Sequence, residues 1–141
     1  MKKQAAIILA ALLLTACGDS SEVSVSQEMQ YIKTSVLYDT ITAMYNDPDR
    51  YVGGNYHMVG TLYPSTDENG DTFYSIFAAE PGESDHGIGL ELDWQDYSGF
   101  QDYETVTVEG KLEIADATDA GTGEAYQYLI LRTTLLEKRN Q

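Results

Sequence analysis

Cysteine is almost missing from this chain. Cys17 is the only one in 141 residues, so no intrachain disulfide can form. Basic residues are also scarce. Eight Lys and Arg stand against 23 Asp and Glu, for a formal net charge of −15. A surface of that sign repels phosphate backbones and anionic lipid head groups, and no nucleic-acid partner is expected. It attracts cations and basic partners, and it keeps a protein soluble. There are two histidines, His57 and His86, and they form no pair at helical spacing. The chain carries no glycine loop that would cradle a phosphate and no nucleophile elbow. Phenylalanine is rare, three against eleven tyrosines. Tyrosine suits half-wet positions on sheet faces and binding surfaces.

What is present begins with "MKKQAAIILAALLLTAC". Lys2 and Lys3 form a positive start, and Ala5–Leu14 is an unbroken apolar run. That run is shorter than the roughly 20 apolar residues a membrane span needs. It suits a secretory signal peptide over residues 1–16. Leu14-Thr15-Ala16-Cys17 resembles the lipobox of bacterial lipoproteins. The resemblance implies that Cys17 receives a diacylglycerol thioether, a reaction that needs a thiolate. Cys17 is then a lipidation site and a membrane anchor, and two acyl chains hold stably where one is marginal. The expected location is the extracytoplasmic face of the cell membrane. Residues 17–27 are small and polar and read as a tether.

Residues 28–138 make one domain. Glu28–Asn46 is expected to be helical, with Met29, Ile32, Val36, Ile41 and Met44 along one stripe. The step from Val36 to Ile41 is five residues, and Pro48 ends the helix. Five strands follow, over Tyr56–Tyr63, Thr72–Ala79, Ile88–Trp94, Thr105–Ile114 and Tyr126–Leu136. Gly60 lies in the middle of the first, where a glycine often marks a bend, and Gly110 can do the same in the fourth. In the third strand Ile88, Leu90, Leu92 and Trp94 alternate with Gly89, Glu91 and Asp93. In the fourth, Val106, Val108, Leu112 and Ile114 share a face. One helix and five strands predict a mainly β fold, a five-stranded OB-like Greek-key barrel preceded by an N-terminal helix. Another small barrel, or an antiparallel sheet covered by the helix, would show the same pattern.

Three stretches, "NDPDRYVGGNYHMVGTLY", "FYSIFAAEPGESDHGIGLEL" and "DYETVTVEGKLE", resemble an OB-fold family of bacterial extracytoplasmic proteins. Some of its members are lipoproteins, and others accompany metal-uptake permeases. Relatives commonly carry a Cys-Cys pair before the third strand. Here that loop reads "EPGESDHG", which removes a thiolate site and leaves carboxylates and imidazole. Glu83, Asp85 and His86, with Glu80 close by, are the candidate metal ligands. A solvated acidic loop accounts for the same letters.

"DENGD", Asp67–Asp71, copies half of a calcium loop. Position six is Thr72 and position twelve is Ala78, so a hairpin turn is expected instead. Ser84-Asp85-His86 holds triad letters, but catalytic groups must meet from separate segments. OB barrels bind through the face of strands two and three and the loops beside it. That places Tyr63, Tyr74, Glu91 and Asp93 as candidate ligand-binding residues. The expected function is a lipid-anchored binding or adaptor module beside a membrane complex or on envelope material. No catalysis and no cofactor are expected. An accessory role in divalent-metal handling is the alternative.

Overall fold

The computed structural model describes residues 27–139. The expected signal peptide, Cys17 and all but the last residue of the expected tether lie outside the described residues.

Its elements are β1 (Met29–Tyr31), a 3-10 turn (Thr34–Val36), α1 (Leu37–Asn46), a second 3-10 turn (Pro48–Arg50), β2 (Asn55–Thr66), β3 (Thr72–Glu80), β4 (Glu83–Asp93), β5 (Thr105–Thr118) and β6 (Ala125–Lys138). The sheet order is β1-β2-β3-β4-β6-β5, and β5 returns to pair with β2. Five strands therefore close into a barrel. The β4–β6 pair is parallel, and the other barrel pairs are antiparallel. This is the expected five-stranded OB-like Greek-key barrel with a helix before it.

The helix is shorter than its sequence pattern suggested. Met29–Tyr31 is not helical; it runs parallel to the start of β2, with Tyr31 opposite His57. Leu37, Ile41 and Met44 form the buried stripe at helical spacing, whereas Val36 is 43% exposed. These three side chains join the barrel core, and α1 packs on β2, β3 and β4.

Gly60 lets β2 serve two neighbours. Asn55–Thr61 pairs with β5, and Thr61–Thr66 pairs with β3. A Cβ at Gly60 would stand 2.9 Å from the Phe77 carbonyl oxygen and 3.0 Å from Leu37 Cδ2. The strand bends there because only a bare backbone can pass beneath the helix. Gly110 sits at a bulge, where the β5–β6 register shifts by one residue.

Alternation fills the core. Tyr56, Met58 and Leu62 of β2, Leu90 and Leu92 of β4, and Val106, Val108 and Leu112 of β5 point inward and are buried. Ile114 departs from the expected face. It is 40% exposed, and Ala115 is buried in its place. Its ladder partner Leu129 stays in the core, while Ile114 lines an outer hollow with Tyr45 and Pro48. Between β4 and β5, Tyr97 and Phe100 fold back against the core. His57 faces outward, where its Nδ1 lies 2.7 Å from Glu109 and its ring lies 4.7 Å from Tyr31. That is a packing and hydrogen-bonding role, as its parity opposite Met58 implied.

Candidate functional site

The outer face of β2, β3 and β4 is built by strand alternation. Tyr63 and Ser65 on β2, Phe73, Ser75 and Phe77 on β3, and Gly89 and Glu91 on β4 share it. Tyr63 pairs with Ser75, which pairs with Glu91 across the next ladder; Phe77 pairs with Gly89. The middle of this row is small, and the flanks are aromatic. Tyr63 stacks on Phe77 at 4.7 Å. Phe77 in turn lies over Gly87, where a Cβ would fall 2.2 Å from its ring. The result is a groove of about 330 Å³ walled by Tyr63, Phe73, Phe77, Tyr45 and Tyr128.

A second hollow of about 630 Å³ shares Phe73, Glu91 and Tyr128 with the first. It runs between the β2–β3 turn and the β5–β6 turn. The two turns are tied together, because the Ala120 N–H donates to the Glu68 carboxylate at 2.9 Å. The Asp67–Asp71 stretch is the expected hairpin turn. The Asp67 carboxylate accepts the Asn69 and Asp71 N–H groups, and Gly70 has a φ of 88°. In the other turn the Asp119 carboxylate accepts the Gly121 and Thr122 N–H groups.

Glu91 is the electrostatic centre of the groove. It is half-buried, and neither a hydrogen bond nor a cation lowers its proton affinity. Burial, then the charges of Asp93 and Asp67, hold its carboxyl above the ordinary glutamate range. Its charge reaches outward as well. Burial and then Glu91 push the Tyr45 and Tyr128 phenols up. The Tyr45 hydroxyl donates to the Gly89 carbonyl at 2.7 Å, which fixes that ring at the groove's edge.

Two of the four ligand-binding residues named from sequence, Tyr63 and Glu91, come together here. Asp93 shares their outer face but is tied to Arg132 at 2.9 Å. Tyr74 is not in the groove. It has the opposite parity on β3, stacks on Tyr97 at 4.2 Å and packs against the core. Phe73, Ser75, Phe77, Tyr45 and Tyr128 were not anticipated. The alternation in "TFYSIF" carried the signal for the first three. Tyr45 and Tyr128 arrive from α1 and β6, and nothing local marks them.

The metal candidates do not assemble. His86 Nδ1 lies 3.4 Å from Glu83, with both side chains largely exposed. Among the described residues no group of three or more His, Cys, Asp or Glu side chains could hold a metal ion, so Asp85 completes no site. Among them also, no helix is long and apolar enough to cross a membrane.

The fold and groove define an OB-like barrel with a candidate binding face. No family model and no curated protein matches the chain. Among solved structures it is similar to the small single-stranded DNA-binding protein from Streptomyces coelicolor. The identity is 12% and the TM-score 0.38, over 62% of this chain and 94% of that one. A likeness of that size assigns no ligand. With a DNA-binding protein among the matched structures, the expectation that excluded nucleic acid is withdrawn, because it rested on net charge alone. Net charge averages over a whole surface and does not report the field inside one groove.

Proposed function

We propose that this chain is a lipid-anchored, extracytoplasmic binding module that holds its ligand in the groove on the outer face of β2–β4 and performs no chemistry on it. The arrangement of Tyr63, Phe77 and Phe73 around the small Ser75–Gly89 floor supports this reading. Exposed aromatic faces beside an open floor offer stacking and apolar contact to a flat or extended ligand. The order of positive start, apolar run and Leu14-Thr15-Ala16-Cys17 supports the anchor.

Two experiments test it. Calorimetry with the full chain in a nonionic detergent, against short peptides, oligosaccharides and an oligothymidylate, should find binding that Tyr63→Ala and Phe77→Ala each weaken about tenfold or more. Binding indifferent to both variants would remove the groove from the account. Labelled palmitate should enter the wild-type chain and not Cys17→Ser. A wild-type chain without label would refute the anchor.

A further inference from the structure

Four carboxylates line the groove and its continuation: Asp67, Glu68, Asp119 and Glu91. Three are occupied. Asp67 and Asp119 each accept two backbone N–H groups within their own turns. Glu68 accepts the Ala120 N–H across the gap. Glu91 alone has no such partner, and it is the one set back between aromatic rings, with Phe73 and Tyr128 beside it in both hollows.

The cation on the adjoining strand β6 is not free to answer it. Arg132 donates from its Nη1 to Asp93 and from its Nε to Glu113, both at 2.9 Å. A half-buried carboxylate is costly unless it is paired. Among the described residues no cation pairs with Glu91.

We infer that Glu91 receives the guanidinium or ammonium group of an arginine or lysine side chain, carried by an extended peptide segment lying in the groove. The inference rests on the groove being the binding face. Such a side chain fits both halves of the site. Its methylene stem lies along the faces of Phe73 and Tyr128, and its charged head meets the carboxylate. The net charge of −15 draws a basic segment in, and Glu91 gives it one fixed point.

The test is calorimetry of the full chain in nonionic detergent with an acetylated tetra-arginine amide. The same peptide with citrulline at every position, isosteric and uncharged, is the control. Wild type should bind the arginine peptide roughly tenfold or more tightly than the citrulline peptide, and less tightly as salt rises. Glu91→Gln should bring the two peptides to the same affinity. Glu137→Gln removes an equal charge far from the groove and should leave the preference intact. Phe73→Ala keeps the carboxylate and should weaken the arginine peptide by removing the stem's contact. Thermal melting shows whether each variant is folded.

Arginine-peptide binding that Glu91→Gln and Glu137→Gln reduce equally would reflect overall charge, and the inference would fall. Absence of arginine-peptide binding would also overturn it. If an oligothymidylate or an oligosaccharide then bound in a Tyr63-dependent way, the groove would stand as the binding face and only the cation inference would be lost. If nothing bound there, both would be lost.

Discussion

Asp93 and Arg132 meet at 2.9 Å on the outer face of the barrel, joining β4 to the β6 strand that runs parallel to it. The same guanidinium reaches Glu113 on β5, so one cation bridges three strands. Glu91 lies two residues before Asp93 on the same face and is left out. This division of one scarce positive charge separates a structural carboxylate from an available one.

Arg132→Gln should destabilise the fold by about 1 kcal/mol, the upper end of the range for partly exposed pairs. The side chains are 43%, 50% and 41% exposed, so solvent screens both contacts. Urea unfolding at low and at high salt checks this. The loss should shrink in high salt. A loss independent of salt would point to packing of the arginine stem instead.

Glu91→Gln should modestly stabilise the unliganded protein at neutral pH. Burial, Asp93 and Asp67 raise the carboxyl's folded pKa above its unfolded value. The folded state therefore holds that proton more tightly. Its advantage is complete below the unfolded pKa and is lost as pH rises through the folded one. Asp67, Asp93 and the Tyr45, Tyr97 and Tyr128 hydroxyls are the titratable groups coupled to it. Melting curves from pH 4 to pH 8 should show the variant gaining on wild type as pH increases. A variant less stable at pH 7 would mean that Glu91 has an internal partner.

Alkali should unfold the protein through its tyrosines. Burial is the first cause raising the pKa of Tyr45, Tyr56, Tyr74, Tyr97 and Tyr128, and for Tyr97 the rise is large. The Tyr97 hydroxyl is buried without a hydrogen-bond partner. Folded values above the unfolded value of about 10 mean that stability is intact below that pH and falls above it. Tyrosinate absorbance should rise in two stages, exposed rings first and the rest with unfolding. Tyr97→Phe should move the second stage to higher pH. A single stage near pH 10 would contradict the raised values of these five.

Gly110→Ala should cost about 3 kcal/mol, the upper end for overpacking. A Cβ there would lie 2.4 Å from the Arg132 carbonyl oxygen, which is backbone and cannot rotate away. Denaturant midpoints measure the effect. A loss under about 1 kcal/mol would show that the bulge relaxes by shifting register.

Much of the barrel was legible because strands announce themselves at period two. Leu90 and Leu92 against Glu91 and Asp93 needed no partner to be read. Gly60 and Gly110 were visible as interruptions of apolar strands, and their meaning as bends followed from the lack of a Cβ. Short-range order failed where the deciding contact was distant. Met29–Tyr31 continued the apolar stripe of α1 on paper, yet it became a strand because the β2 edge at Asn55–His57 was open to pairing. Ile114 kept its parity yet is exposed, and Ala115 beside it is buried instead.

The candidate site divided the same way. Tyr63 and Glu91 were readable from the known geometry of such barrels. Tyr74 was misplaced by one position of parity, and its neighbours Phe73 and Phe77 hold the face instead.

From sequence alone came the lipobox-like start, the acidic charge, the strand count and the bends, because each is set by residues adjacent in the chain. Tertiary structure alone decided that Tyr45, Phe73, Glu91 and Tyr128 share a groove, and that Arg132 serves Asp93 rather than Glu91. Those relations depend on barrel closure. Closure brings β6 beside β4 and α1 against the sheet, so it fixes which charges are neutralised and which remain open to a ligand.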